Sequence, residues 1–284
     1  MFRYIAIQTL YTDIHRLNLG TEPMHYLFLI LVMFLNPIAS HASSTKTIKL
    51  AYSDIESFPF QMGNGTSVAE PPGLSIDILE HAANTLNVNI EYIRLPGKRV
   101  LHHMRANQVD GGFIFSYNQK RAQYANYPIK DEQVDSTLRI ATLDYFFYKL
   151  KEQEVKWDGT KLESVGNRPV GAHNGFSIIN ILKKNEINTL EMESTEQLFT
   201  MLKKRRIAAV AIQSNIADSY INENELPNIE KITPPISTKY YYLIFSHKFT
   251  KENPELVQAM WKAVGKVRDE IIARNMKMYL SDSN

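Results

Sequence analysis

The sequence predicts an α/β protein of two lobes with a ligand cleft between them. Three observations carry that expectation. Short β-type runs alternate with helical apolar faces. The alternation occurs once in each half of the chain. After residue 42 no segment approaches the ~20 apolar residues that a membrane-spanning helix needs.

In the first half, Ile48 to Tyr52 reads as a strand, followed by a Pro/Gly-rich loop through Phe58-Pro59-Phe60 and Gly63-Asn64-Gly65. Ser75 is the expected N-cap of a helix whose apolar face is Ile76, Leu79, Ala83 and Leu86. Val88, Ile90 and Tyr92 alternate with polar residues, as a strand does; 98–107 reads as a helix and Val109 to Phe115 as a strand. This β-α-β-α-β order is that of a parallel sheet covered by helices.

The second half repeats the scheme. Pro169 to His173 is a short strand that turns at Asn174-Gly175 into a helix from Ile178 to Leu182. Ser194 with Gln197 forms a capping-box signature ahead of Leu198, Met201 and Leu202. Ile207 to Ile212 reads as a buried strand and Tyr240 to Ser246 as another. Asn253-Pro254 opens a long helix with Leu256, Val257, Met260, Trp261, Val264 and Val267 inward.

Composition narrows the function. A formal charge of +2 on 284 residues, with the cations scattered, gives no footprint for nucleic acid. The absence of cysteine excludes disulfides, thiol nucleophiles and thiolate metal sites. The consecutive His102 and His103 point about 100° apart on a helix, a poor metal pair, so no metal or cofactor is expected. Upstream, the apolar run after Met24 is too short to span a bilayer and ends at Asn36-Pro37 and Ser40-His41-Ala42. That is the layout of a secretory signal over 1–42, cleaved after Ala42, with Met24 an alternative start. The expected address is the periplasm.

Several ordered segments resemble the family 3 extracellular solute-binding proteins, the amino-acid-type receptors of ABC importers. Gly73-Leu-Ser-Ile-Asp77-Ile-Leu79 looks like the family's opening of its first helix. Met104 to Gly111 is similar to its turn ending in Asp-Gly, here Asp110-Gly111. Asn118 to Pro128, with Arg121, resembles its Thr-x-x-Arg segment. Val170-Gly171-Ala-His-Asn-Gly175 is similar to the strand and turn that open the second lobe, and Pro254 onward matches the last helix. The resemblance implies a type II periplasmic-binding-protein fold, two α/β lobes joined by two hinge strands. It places lobe 1 at 46–138 plus 242–284 and lobe 2 at 139–241, with crossings near Thr137–Ala141 and Thr238–Tyr242. It implies a monomer that hands a small molecule to an ABC permease, or reports it to a sensor kinase.

The same resemblance implies the site. Arg121 takes the position of the arginine that grips a ligand carboxylate, for which a planar guanidinium is suited. Phe115, Ser116 and Tyr117 stand where relatives offer backbone N–H groups and a hydroxyl; ordinary loop capping is the competing reading. Gly175, Phe176 and Ser177 are the matching turn of the second lobe. Tyr52, Phe58 and Phe60 follow the first strand, where relatives wall the ligand with aromatic rings; plain packing competes there. One position departs from the family: Gln213 replaces the aspartate that pairs with a ligand ammonium. A neutral amide cannot compensate a buried ammonium, so an ordinary zwitterionic amino acid is in doubt unless another acid, such as Asp218, substitutes. Some similar proteins are periplasmic cyclohexadienyl dehydratases. No catalytic motif accompanies the resemblance, and no catalytic residue is assigned.

Overall fold

Alternation of Ile48, Leu50 and Tyr52 against Thr47 and Lys49 gives the first strand, β1 (Lys46–Ser53). The computed structural model describes residues 45–281, so the expected export signal over 1–42 lies outside the described residues. Further strands are β2 (Val88–Leu95), β3 (Gly111–Ser116), β4 (Ala141–Leu150), β5 (Val170–His173), β6 (Thr189–Met192), β7 (Ala209–Gln213) and β8 (Ile229–Ser246). The helices are α1 (Leu74–Thr85), α2 (Gly97–Arg105), α3 (Ile178–Lys184), α4 (Thr195–Lys203), α5 (Ser214–Glu223), α6 (His247–Glu252) and α7 (Pro254–Ser281).

The strands pair in the order β6-β5-β7-β4-β8-β3-β1-β2. Each end is parallel: β1 runs beside β2 and β3, and β5 beside β6 and β7. Between the two ends, β4 and β8 are antiparallel to each other, with Tyr241 opposite Ala141 and Thr238 opposite Asp144. Parallel strands need helical crossovers, which cover both faces and make the strands apolar throughout, as Ala209–Gln213 shows by being buried at every residue. On the β1 side, α1 and α7 pack together on one face and α2 on the other, where Val100 and Met104 are fully buried. Among the described residues, no helix is long and apolar enough to cross a membrane.

Several boundaries differ from the expectation, each for a physical reason. Ser75 does not cap α1; it lies inside the helix, fully buried. The N-cap is Gly73 at φ 107°, where a Cβ would sit 2.6 Å from the Phe60 carbonyl oxygen, so glycine is required there. Asp77 instead binds the far end of the chain: it accepts hydrogen bonds from Tyr279 Oη at 2.9 Å and Asn275 Nδ2 at 2.8 Å. The capping box forms with one change of partner. Ser194 Oγ accepts from the Gln197 N–H at 3.2 Å, but Gln197 Oε1 accepts from Glu193 N–H, one residue further out. The strand expected at 240–246 begins at Ile229, because its pairing with β4 extends back to Ile229 opposite Leu150; Pro234 and Pro235 lie within the register break between Ile232 and Ser237.

Candidate functional site

The C-terminal ends of β1 and β3 face those of β5 and β7 across a small cavity of about 40 Å³. Open α/β sheets place ligands at the carboxyl ends of their strands. Arg121, Phe115, Gly175, Phe176, Ser177 and Gln213 line it, so these sequence-selected residues meet although Phe115 and Gln213 stand 98 positions apart. Gln61, Ser57, Tyr145 and Tyr241 join them unannounced.

Arg121 is buried, at 7% exposure, yet pairs with no carboxylate. Its Nη1 donates to the Ser116 carbonyl at 3.0 Å and its Nη2 to the Gly175 carbonyl at 3.2 Å, while the guanidinium lies 5.4 Å from the Phe115 ring. Removing a full charge from water costs several kcal/mol unless an opposite charge compensates. Two neutral carbonyls occupy only part of a five-donor fork, which leaves N–H groups for an anion.

A second cation stands close by. Lys239 Nζ donates to Ser177 Oγ at 2.9 Å and to the Ser177 carbonyl at 3.2 Å, over the Tyr145 ring at 5.6 Å. Burial first, and then repulsion from Arg121, pulls its pKa down to about 8. The floor between the cations is neutral. Gln213 Nε2 donates to Tyr241 Oη at 2.7 Å, and Tyr241 Oη to Tyr145 Oη at 3.2 Å; burial raises the pKa of both phenols, keeping them uncharged. Gln61 Nε2 is buried without a hydrogen-bond acceptor, although such donors rarely stay unpaired.

The remaining selected residues sit elsewhere. Tyr52 is buried against Phe113, ring centroids 4.7 Å apart, because it shares the β1 face that packs under α1 with Ile48 and Leu50. Phe60 is half-buried against the same core, and Phe58 lines an outer groove with Ser219 and Glu223. Ser116 offers its carbonyl, to Arg121 and Tyr127, while its hydroxyl is buried and unpartnered outside the cavity lining. Tyr117 is exposed, edge-on to Tyr127. Asp218, the substitute acid, accepts from Tyr148 Oη at 2.6 Å and pairs with Lys231, away from the cavity.

Contacts bridge the two sides. Besides Arg121 to Gly175, Asn215 Nδ2 donates to Ser57 Oγ at 2.8 Å and the Phe58 carbonyl at 2.9 Å, and Lys98 lies 3.5 Å from Glu191. Gly175 has φ 79°, and a Cβ there would stand 3.2 Å from Lys98 Cγ and 3.3 Å from Lys98 N. Gly175→Val is therefore expected to leave the fold intact but hold the two sides apart. Small-angle scattering should give a larger radius of gyration than wild type, and an unchanged radius with unchanged ligand affinity would refute this.

No family model matches the chain, and no curated protein sequence matches it. Solved structures do. The GluR0 ligand-binding core from Nostoc punctiforme, in complex with L-glutamate, aligns at TM-score 0.62 and 16% identity over 82% of this chain and 96% of that one. The amino acid ABC transporter substrate-binding protein AbpA from Streptococcus pneumoniae, bound to L-arginine, aligns at 0.64 and 16% over 84% and 95%. A histidine kinase sensor domain with similarity to periplasmic binding proteins aligns at 0.64 and 13% over 84% and 95%. The chain therefore has the periplasmic-binding-protein fold of type II, two α/β lobes about a cleft.

Proposed function

We propose that the chain is a periplasmic solute-binding protein that closes its lobes, 46–138 plus 242–284 and 139–241, around a small carboxylate-bearing ligand and delivers it to an ABC importer. One observation carries the reading: Arg121 is a buried guanidinium without a counter-ion, held by carbonyls from both sides of the cleft. A carboxylate there would receive paired, charge-assisted hydrogen bonds and neutralise the site. Opening and closing would occur by bending where β4 and β8 cross between the lobes, the hinge motion available to this architecture. The working form is a monomer exported by the 1–42 signal. No carboxylate lines the cavity among the described residues, which favours binding over dehydratase-like acid catalysis.

Screening carboxylates and amino acids by thermal shift should reveal a stabilising ligand, since a ligand favours the state that binds it. Arg121→Ala should then weaken that ligand at least ~100-fold, roughly 2.7 kcal/mol, by calorimetry. Retained affinity in a folded Arg121→Ala protein would remove the central assignment. Reporting to a membrane sensor is the second reading, favoured by the likeness to a histidine kinase sensor domain.

A further inference from the structure

We propose that the ligand is an organic anion without an ammonium group: a carboxylate whose neighbouring carbon carries hydrogen, hydroxyl or a keto oxygen. This rests on the reading of Arg121 as the carboxylate anchor and specifies the rest of the molecule.

The charge around the cavity is one-sided. Arg121 and Lys239 converge on one turn, Arg121 on the carbonyl of Gly175 and Lys239 on the hydroxyl and carbonyl of Ser177, two residues later. No aspartate or glutamate lines the cavity among the described residues. The nearby acids are engaged or peripheral. Glu191 pairs with Lys98 and Lys183, and Glu193 accepts from Asn174. Glu56, Glu196 and Glu223 line a separate outer groove. Asp54 follows the lining residue Ser53 without lining the cavity itself; burial foremost raises its pKa, which weakens it as a counter-charge.

Polar groups in the cavity point the same way. Gln61 Nε2 is a buried donor lacking an acceptor, and Ser177 receives a hydrogen bond from Lys239. Gln213 lines the cavity without a charge, its N–H spent on Tyr241. A ligand with acceptors meets the open N–H groups of Arg121 and the unpaired Gln61 Nε2. An ammonium would meet Arg121 in the lining, with Lys239 behind Ser177, and no lining carboxylate to compensate it; a buried unpaired charge is strongly disfavoured.

The test uses the purified full chain and matched pairs: 2-oxoglutarate against L-glutamate, succinate against L-aspartate, pyruvate against L-alanine, and 4-methyl-2-oxopentanoate against L-leucine. In each pair that binds, calorimetry should show the ammonium-free member at least 10-fold tighter, about 1.4 kcal/mol. Gln213→Asp should reverse the preference in the same pair. An amino acid that binds as tightly as its partner, and loses affinity in Arg121→Ala, overturns this inference while leaving the carboxylate anchor standing. Such a ligand should also lose affinity in Asp54→Asn, since Asp54 is an acid adjoining the lining residue Ser53. Failure of every carboxylate to bind overturns the anchor and the inference together.

Discussion

Lowering the pH from 6.5 toward 3 is expected to remove about 5 kcal/mol of stability through His173 alone. The ring is buried at the end of β5, packed 4.8 Å from Phe176, with Nε2 3.2 Å from Thr195 Oγ1 and Nδ1 unpartnered. Burial pulls its pKa down to about 3, against an ordinary value of 6.5. The folded value lies below the unfolded one, so the contribution is fully present above pH 6.5 and is lost as pH falls toward 3. The unfolded chain takes up the proton that the folded chain refuses, at up to roughly 1.4 kcal/mol per pH unit. Total stabilities of domains are only about 5–15 kcal/mol, so the effect is large. Urea midpoints at pH 7 and pH 4 should separate more for wild type than for His173→Gln, while other titrating groups affect both proteins alike. Parallel midpoints would show that His173 carries no such load.

Gly111→Ala is expected to cost more than about 3 kcal/mol, above the usual range for overpacking because backbone is struck. Gly111 opens β3 between β1 and β8. A Cβ there would collide with the Ile244 carbonyl oxygen and approach Leu50 Cδ2 and Phe245 Cδ1 to 3.0 Å. Leu50 and Phe245 are fully buried, so neither can swing away. Gly112 has a similar constraint, its Cβ 2.7 Å from the Ala51 carbonyl oxygen. Soluble protein with a urea midpoint within the equivalent of 0.5 kcal/mol of wild type would contradict the packing argument.

Local patterns announced most of the parallel strands and their helices, because a buried strand or an amphipathic helix writes its period into a few adjacent residues. They did not announce β4, whose sequence ATLDYFFYKL is apolar on both faces toward its end, or α5, which starts at Ser214 directly after β7 with no loop between. The site divides along the same line. Arg121, Gly175 and Ser177 were legible because each sits in a segment that resembles a motif of the solute-binding family. Tyr145 and Tyr241 were not. Their meeting depends on the β4–β8 register, which pairs residues about a hundred positions apart. Lys239 falls inside the expected hinge crossing Thr238–Tyr242, but nothing in its local sequence marks it as a site residue. Gln61 lies in the 54–73 loop, whose path is set by its bridge to Ser57 and by the buried Arg94, which donates to the carbonyls of Met62, Gly63 and Ser67. Tyr52 shows the opposite failure: its aromatic character was plain, but strand alternation already assigned it to the core side of β1.

The bonds from Asp77 to Asn275 and Tyr279 have a consequence for the order of events in the cell. The β1–α1–β2 layer is made first, but its covering helix and the strand beside β3 are made last. A ribosome must release essentially the whole chain before that layer can close over its apolar residues. Until then Ile76, Ile78 and Leu79, buried in the folded protein, lack their native cover. The last turn of α7, which carries Tyr279, is thus the piece that completes the cover of α1.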